Sequence, residues 1–102
     1  MILIYLLVAY CVLVLILDWL QTRAIAKNPS LFYEMNPILG KHPTVGRVNV
    51  YFAACILGYL GMALTLPALM AFMFSVVVGL VQTYFVYANY DEGIPFDNPF
   101  KE

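Results

Sequence analysis

The chain gathers its charged side chains into two zones and leaves two long stretches with none: residues 1–17 and 48–90 carry no charge. An apolar helix from Ile2 to Leu17 reaches about 24 Å at ~1.5 Å per residue, short of a hydrocarbon core about 30 Å thick. It must therefore continue through Asp18, Trp19 and Leu20, which places Asp18 inside the membrane boundary. As one helix, the stretch 48–90 would reach about 65 Å, roughly twice the core thickness, so it must fold back. Pro67 supplies the break, because it cannot donate to the preceding turn and disfavours helix at Leu66. The pattern predicts an all-α membrane protein, a three-transmembrane-helix bundle with spans near 2–24, 46–65 and 68–88. Residues 1–102 read as one membrane domain, with an interfacial or re-entrant connection between the first two helices.

Small residues support helix packing. Ala71, Ser75, Gly79 and Thr83 recur every four positions on the third span, and Ala54, Gly58 and Gly61 line the second. Such stripes let backbones approach closely, within one chain or as a homo-oligomer seam through Ala71/Ser75/Gly79 or Ala54/Gly58. The acidic tail, residues 91–102, reads as a solvated extension whose Phe96 and Phe100 dock at the interface.

Composition agrees with a lipid bilayer as the main partner: 64% of residues are hydrophobic, 11% are charged, and the mean hydropathy is +0.86. The first 17 residues lack a basic n-region and a small-residue exit, and Tyr10 before Cys11 is too large for a lipoprotein cleavage box, so this segment reads as a retained span. A net charge of −1 offers no field for nucleic acid. Cys11 and Cys55 sit in apolar runs, where a thiol packs as a small hydrophobe, so neither a disulfide nor a cysteine metal pair is expected.

Charge also orients the bundle. Arg23, Lys27, Lys41 and Arg47 all fall in or beside the first connection, and the second has no cation. The positive-inside rule then predicts a cytoplasmic (inner) membrane protein with its N-terminus outside and C-terminus inside. Trp19, Tyr84, Tyr87 and Tyr90 fall near the same inner surface, as an aromatic belt would, although Tyr5, Tyr10, Tyr51 and Tyr59 are spread more widely.

The candidate chemistry lies at that inner surface. Asp18, Gln21 and Thr22 share one helical face by their i, i+3, i+4 spacing, while Trp19 and Arg23 occupy another. Glu34 and Asn36 come from the connection, where "SLFYEM" is too apolar for a free loop and Asn36-Pro37 fixes a turn. Gln82 and Asn89, seven apart, share a face at the inner end of the third span, and Arg47 and Asn49 open the second. The outer half offers Ser75 and Thr65 and little else polar. A carboxylate at membrane depth normally faces a partner or water. A structural reading pairs Asp18 with Arg47 or Arg23. A functional reading makes Asp18 and Glu34 oxygen donors, aided by Asn36, Thr22 or Gln82, for a divalent or monovalent cation, a proton, or a lipid or peptide headgroup. His42, the single histidine, reads as a loop residue, and neither cysteine nor Ser30 or Ser75 has a base at a diagnostic spacing.

The run Asp18-x-x-x-Thr22, then Glu34-x-Asn36-Pro37, then Gly40 resembles that of small polytopic membrane proteins of bacteria, archaea and phages, grouped as a membrane domain of uncharacterised role. The resemblance covers residues 14–40. It implies a helical bundle whose Asp, Thr, Glu and Asn belong together, and it implies no activity. Up to four spans are expected in that group, against three here. Two rival readings accompany the binding-site reading: a phage-type holin or superinfection-exclusion protein, and an intramembrane metal-dependent hydrolase with Asp18 and Glu34 as ligands.

Overall fold

The computed structural model describes residues 2–34 and 38–100. It is all-helical among those residues: α1 spans Ile2–Lys27, α2 spans Val45–Thr65 and α3 spans Ala68–Asp91. Each is long and apolar enough to cross a membrane, so the chain is a small multi-pass membrane protein. Large apolar side chains such as Leu57, Leu64, Leu69 and Leu80 point outward, as lipid-facing residues do.

Local chemistry sets the helix ends. Thr44 caps α2, its Oγ1 accepting from the Arg47 amide at 3.1 Å. At the other end Leu66 is extended (φ −70, ψ 151) ahead of Pro67, and the chain turns there into α3. The C-terminus of α3 closes on Gly93, whose positive φ of 82 is easy for glycine alone. The Gly93 amide donates to the Tyr90 carbonyl at 3.0 Å, and the Ile94 amide to the Asn89 carbonyl at 3.0 Å. This 6→1 and 5→2 pairing is a Schellman motif, and it reverses the chain toward α1.

Helix α1 lies against both other helices, while α2 and α3 touch each other least. Cys11 and Leu15 of α1 pack on Tyr59 and Ala63 of α2, with Phe74 and Val78 of α3 beside them. Hydrogen bonds tie the three helices together at this level. The Cys11 thiol donates to the Ser75 carbonyl at 3.1 Å, and the Tyr59 and Ser75 hydroxyls bond at 2.7 Å. One helical turn along α3, a Cβ at Gly79 would stand 3.4 Å from Cys11 Sγ. Ala71, Ser75 and Gly79 are thus buried within the chain. Ala54 and Gly58 remain exposed.

The tail departs from the sequence reading. It is not a wholly solvated extension, although Phe96 and Phe100 stay exposed, as side chains that meet a membrane interface would be. Ile94 is buried against Ala24, Ile25 and Phe32, and the Asp97 amide donates to the Leu20 carbonyl at 3.1 Å. The difference follows from the turn at Gly93, which aims Ile94 back at α1. Trp19 stacks on Phe52, with ring centroids 6.2 Å apart.

Two glycine substitutions separate packing from open surface. Gly79→Leu should destabilise the bundle by about 1–3 kcal/mol through overpacking against Cys11. Gly58→Leu, with nothing within 4 Å of its added Cβ, should leave stability unchanged or slightly higher. Unfolding in mixed micelles measures both, and equal effects would contradict this packing.

Candidate functional site

The polar residues Asp18, Gln21 and Thr22 of α1 are buried: Asp18 is 8% exposed, Thr22 1% and Gln21 0%. Their helical spacing turns all three away from lipid. Thr22 Oγ1 donates to the Asp18 carbonyl at 2.8 Å and lies 3.4 Å from Asp18 Oδ1. From α3, Asn89 Nδ2 reaches Gln21 Oε1 at 3.3 Å and Asp18 Oδ1 at 3.5 Å. Gln21 in turn donates to the Val86 carbonyl at 3.0 Å, which makes it a tether between α1 and α3.

Asp18 faces a cavity of about 540 Å³ bounded by all three helices, the first connection and the tail. Its polar lining is Asp18, Thr22, Glu34, Gln82, Asn89 and Glu92. The structure therefore brings Asp18, Thr22, Glu34, Gln82 and Asn89 to one wall-lined space, although they come from three separate segments. Glu34 is held there by its backbone, whose amide donates to the Lys41 carbonyl at 2.8 Å and folds the connection across the helix ends. Gln82 Oε1 is buried without a hydrogen-bond partner. An orphaned acceptor of this kind is rare in folded proteins and calls for a donor.

Other expected members lie elsewhere. Arg47 points out to the Ile38 carbonyl (Nη2, 3.0 Å) and borders a separate shallow groove. Asn49 accepts from Trp19 Nε1 at 2.9 Å and Arg23 Nη1 at 2.7 Å, on the opposite face of α1 from Asp18. Neither reaches the cavity. Asn36 lies outside the described residues. Asp18 is also not paired with Arg23 or Arg47, because Arg23 turns to the tail. Arg23 Nε meets Asp97 Oδ2 at 2.9 Å, and Lys27 Nζ meets Asp97 Oδ1 at 3.0 Å. Burial disfavours the charged form of Asp97, but hydrogen bonds from Arg23 and Lys27, with their positive charges, outweigh it. They hold the carboxylate below its ordinary range.

Sequence reasoning missed Glu92, Ile94 and Asp97. The available signal was Asp91-Glu92-Gly93, an acidic helix end followed by a capping glycine and then an apolar residue. Among the described residues no group of three His, Cys, Asp or Glu side chains is placed to hold a metal ion. No family model, curated protein or solved structure matches the chain.

The lowered Asp97 titration fixes a pH dependence for the tail. Its anchoring should be complete above the ordinary carboxylate range near pH ~4 and lost as pH falls below it, through the lower folded value. Asp97→Ala should reproduce that loss at neutral pH. Amide exchange at Ile94 and at position 97 should then quicken by about tenfold or more, the scale of losing hydrogen bonds to a charged group. Unchanged protection in the variant would show that the ion pairs do not hold the tail.

Proposed function

We propose that this chain is an inner-membrane protein, N-terminus outside and C-terminus inside, that binds a positively charged ligand in the cavity beside Asp18 and Glu34. One observation carries the reading. Asp18 is buried and faces the cavity, yet no described cation lies beside it, because Arg23 and Lys27 both attend Asp97. A carboxylate at membrane depth is expensive when charged and alone. Thr22 and Asn89 offer only long contacts at 3.4 and 3.5 Å, too weak to replace a counter-charge. A positive partner that comes and goes resolves the mismatch, and the oxygens of Thr22 and Gln82 are placed to add neutral contacts.

The orientation rests on the cations of the first connection. Lys41 and Arg47 are exposed at the end of the bundle that carries the cavity, as the positive-inside rule requires of a cytoplasmic face. The resemblance of the Asp18/Thr22 and Glu34/Asn36/Pro37 pattern to an uncharacterised membrane domain is proposed on the same footing. It supports treating these residues as one unit.

The test is thermal unfolding of the purified full chain in neutral detergent, with sodium, magnesium or an alkylammonium chloride added. At least one cation should stabilise the wild type, by about 2.7 kcal/mol at a hundredfold excess over its Kd. The gain should vanish in Asp18→Asn and shrink in Glu34→Gln, with helical content by circular dichroism retained. A wild type indifferent to every cation in the panel would overturn the reading.

A further inference from the structure

The cavity is far larger than an inorganic ion requires. At about 540 Å³ it falls within the range of sites for small organic molecules. A bare metal ion or a proton would leave most of that space unfilled, and the described acids are not grouped to ligate a metal. The walls opposite Asp18 are apolar and aromatic: Tyr51 and Phe52 from α2, Tyr84 and Phe85 from α3, with Ile94 from the tail. The charged side chains among the described lining residues, Asp18, Glu34 and Glu92, are all acidic. A cavity that combines carboxylates with an apolar and aromatic lining suits an organic cation, whose charge meets the acids and whose apolar part packs on the lining.

The position of the rim adds a second constraint. Tyr84 is 66% exposed and Phe85 45% exposed on the outer surface of α3, yet both also line the cavity. They belong to a membrane-crossing helix, and α2 and α3 touch each other least. The cavity therefore borders apolar side chains that face the acyl chains. A ligand with an apolar body can leave that body along Tyr84 and Phe85 while its charge sits at Asp18.

Resting on the cation-site reading above, we infer that the ligand is an ammonium group carried on an apolar body, an amphiphilic amine. Asp18 is the counter-ion, Glu34 and Glu92 set the negative potential, Gln82 lends its unpartnered carbonyl oxygen, and the aromatic wall holds the apolar part. The ammonium chemistry is shared by two sources, the amine headgroup of a membrane lipid and a free amphiphilic amine.

Octylammonium chloride, whose protonated amine carries the N–H donors that Gln82 Oε1 lacks, is the probe, with octanol and sodium octyl sulfate as neutral and anionic controls of the same chain length. Calorimetric titration and thermal unfolding of the full chain in neutral micelles read the binding. The wild type should bind the ammonium probe and neither control. Asp18→Asn should weaken binding by about tenfold or more, as expected for removing one partner of a buried charge pair. Phe85→Ala should weaken octylammonium binding and leave any response to sodium or magnesium unchanged. Glu34→Gln supplies a second acidic variant should Asp18→Asn lose its helical content.

Stabilisation by sodium or magnesium with none by octylammonium would overturn the amine assignment and leave the cation site standing. No response to any cation would sink both. Binding of octanol equal to that of the ammonium probe would reduce the cavity to an apolar pocket and overturn the assignment. The source is then read in nanodiscs. Both phosphatidylcholine and phosphatidylethanolamine are net neutral, and only the second carries a primary ammonium. Weaker apparent affinity for octylammonium when phosphatidylethanolamine is mixed into phosphatidylcholine discs supports a lipid headgroup as occupant, and equal affinity supports a free amine.

Discussion

A carboxylate held within an apolar bundle is the constraint on which the rest of the structure turns. Asp18 interrupts a helix that is otherwise made for lipid, and hydrocarbon does not tolerate an isolated charge. The fold answers by rotating α1 so that Asp18, Gln21 and Thr22 face inward together. The partners found there are neutral: a threonine on the same helix and an asparagine from α3. They satisfy the geometry of a polar site without neutralising it. That incomplete match separates a candidate binding site from a structural ion pair.

Packing elsewhere makes this arrangement possible. Close approach of α1 and α3 depends on Gly79 and Ser75, and the bonds joining Cys11, Tyr59 and Ser75 fix the helices relative to one another further toward the N-terminus of α1. Since α2 and α3 meet least, space opens between them at the end where polar residues collect. The connection closes that space from one side through Glu34 and Leu39. The tail closes it from another through Glu92 and Ile94. The Arg23–Asp97–Lys27 cluster has two consequences at once. It docks the tail, and it draws away the cation nearest in sequence to Asp18.

Much of the architecture was legible because membrane physics acts on length and charge, which a sequence displays directly. The uncharged stretches and Pro67 define three helices, and the i, i+3, i+4 relation of Asp18, Gln21 and Thr22 places them on one face. The same periodicity brings Gln82 and Asn89 to the side of α3 that meets the cavity. Partner choice was not legible. Asp97 competes for Arg23 across 74 residues, and helical periodicity contains nothing about that pairing. Arg47 and Asn49 share a depth with Asp18 but not an azimuth, since depth follows from position along α2 whereas azimuth depends on how α2 packs. Glu92 was obscured by its place in an acidic tail, until the turn at Gly93 gave that tail a direction.

The inward position of the Asp18 carboxylate can be measured without knowing any ligand. With the chain in lipid bilayers, 13C in the aspartate carboxyls and 15N in the asparagine side chains, solid-state dipolar recoupling should detect a close Asp18–Asn89 pair. The structure places Asn89 Nδ2 at 3.5 Å from Asp18 Oδ1, and the signal should disappear in Asn89→Leu. A carboxylate with no asparagine nitrogen nearby, in contact with acyl chains instead, would contradict the account.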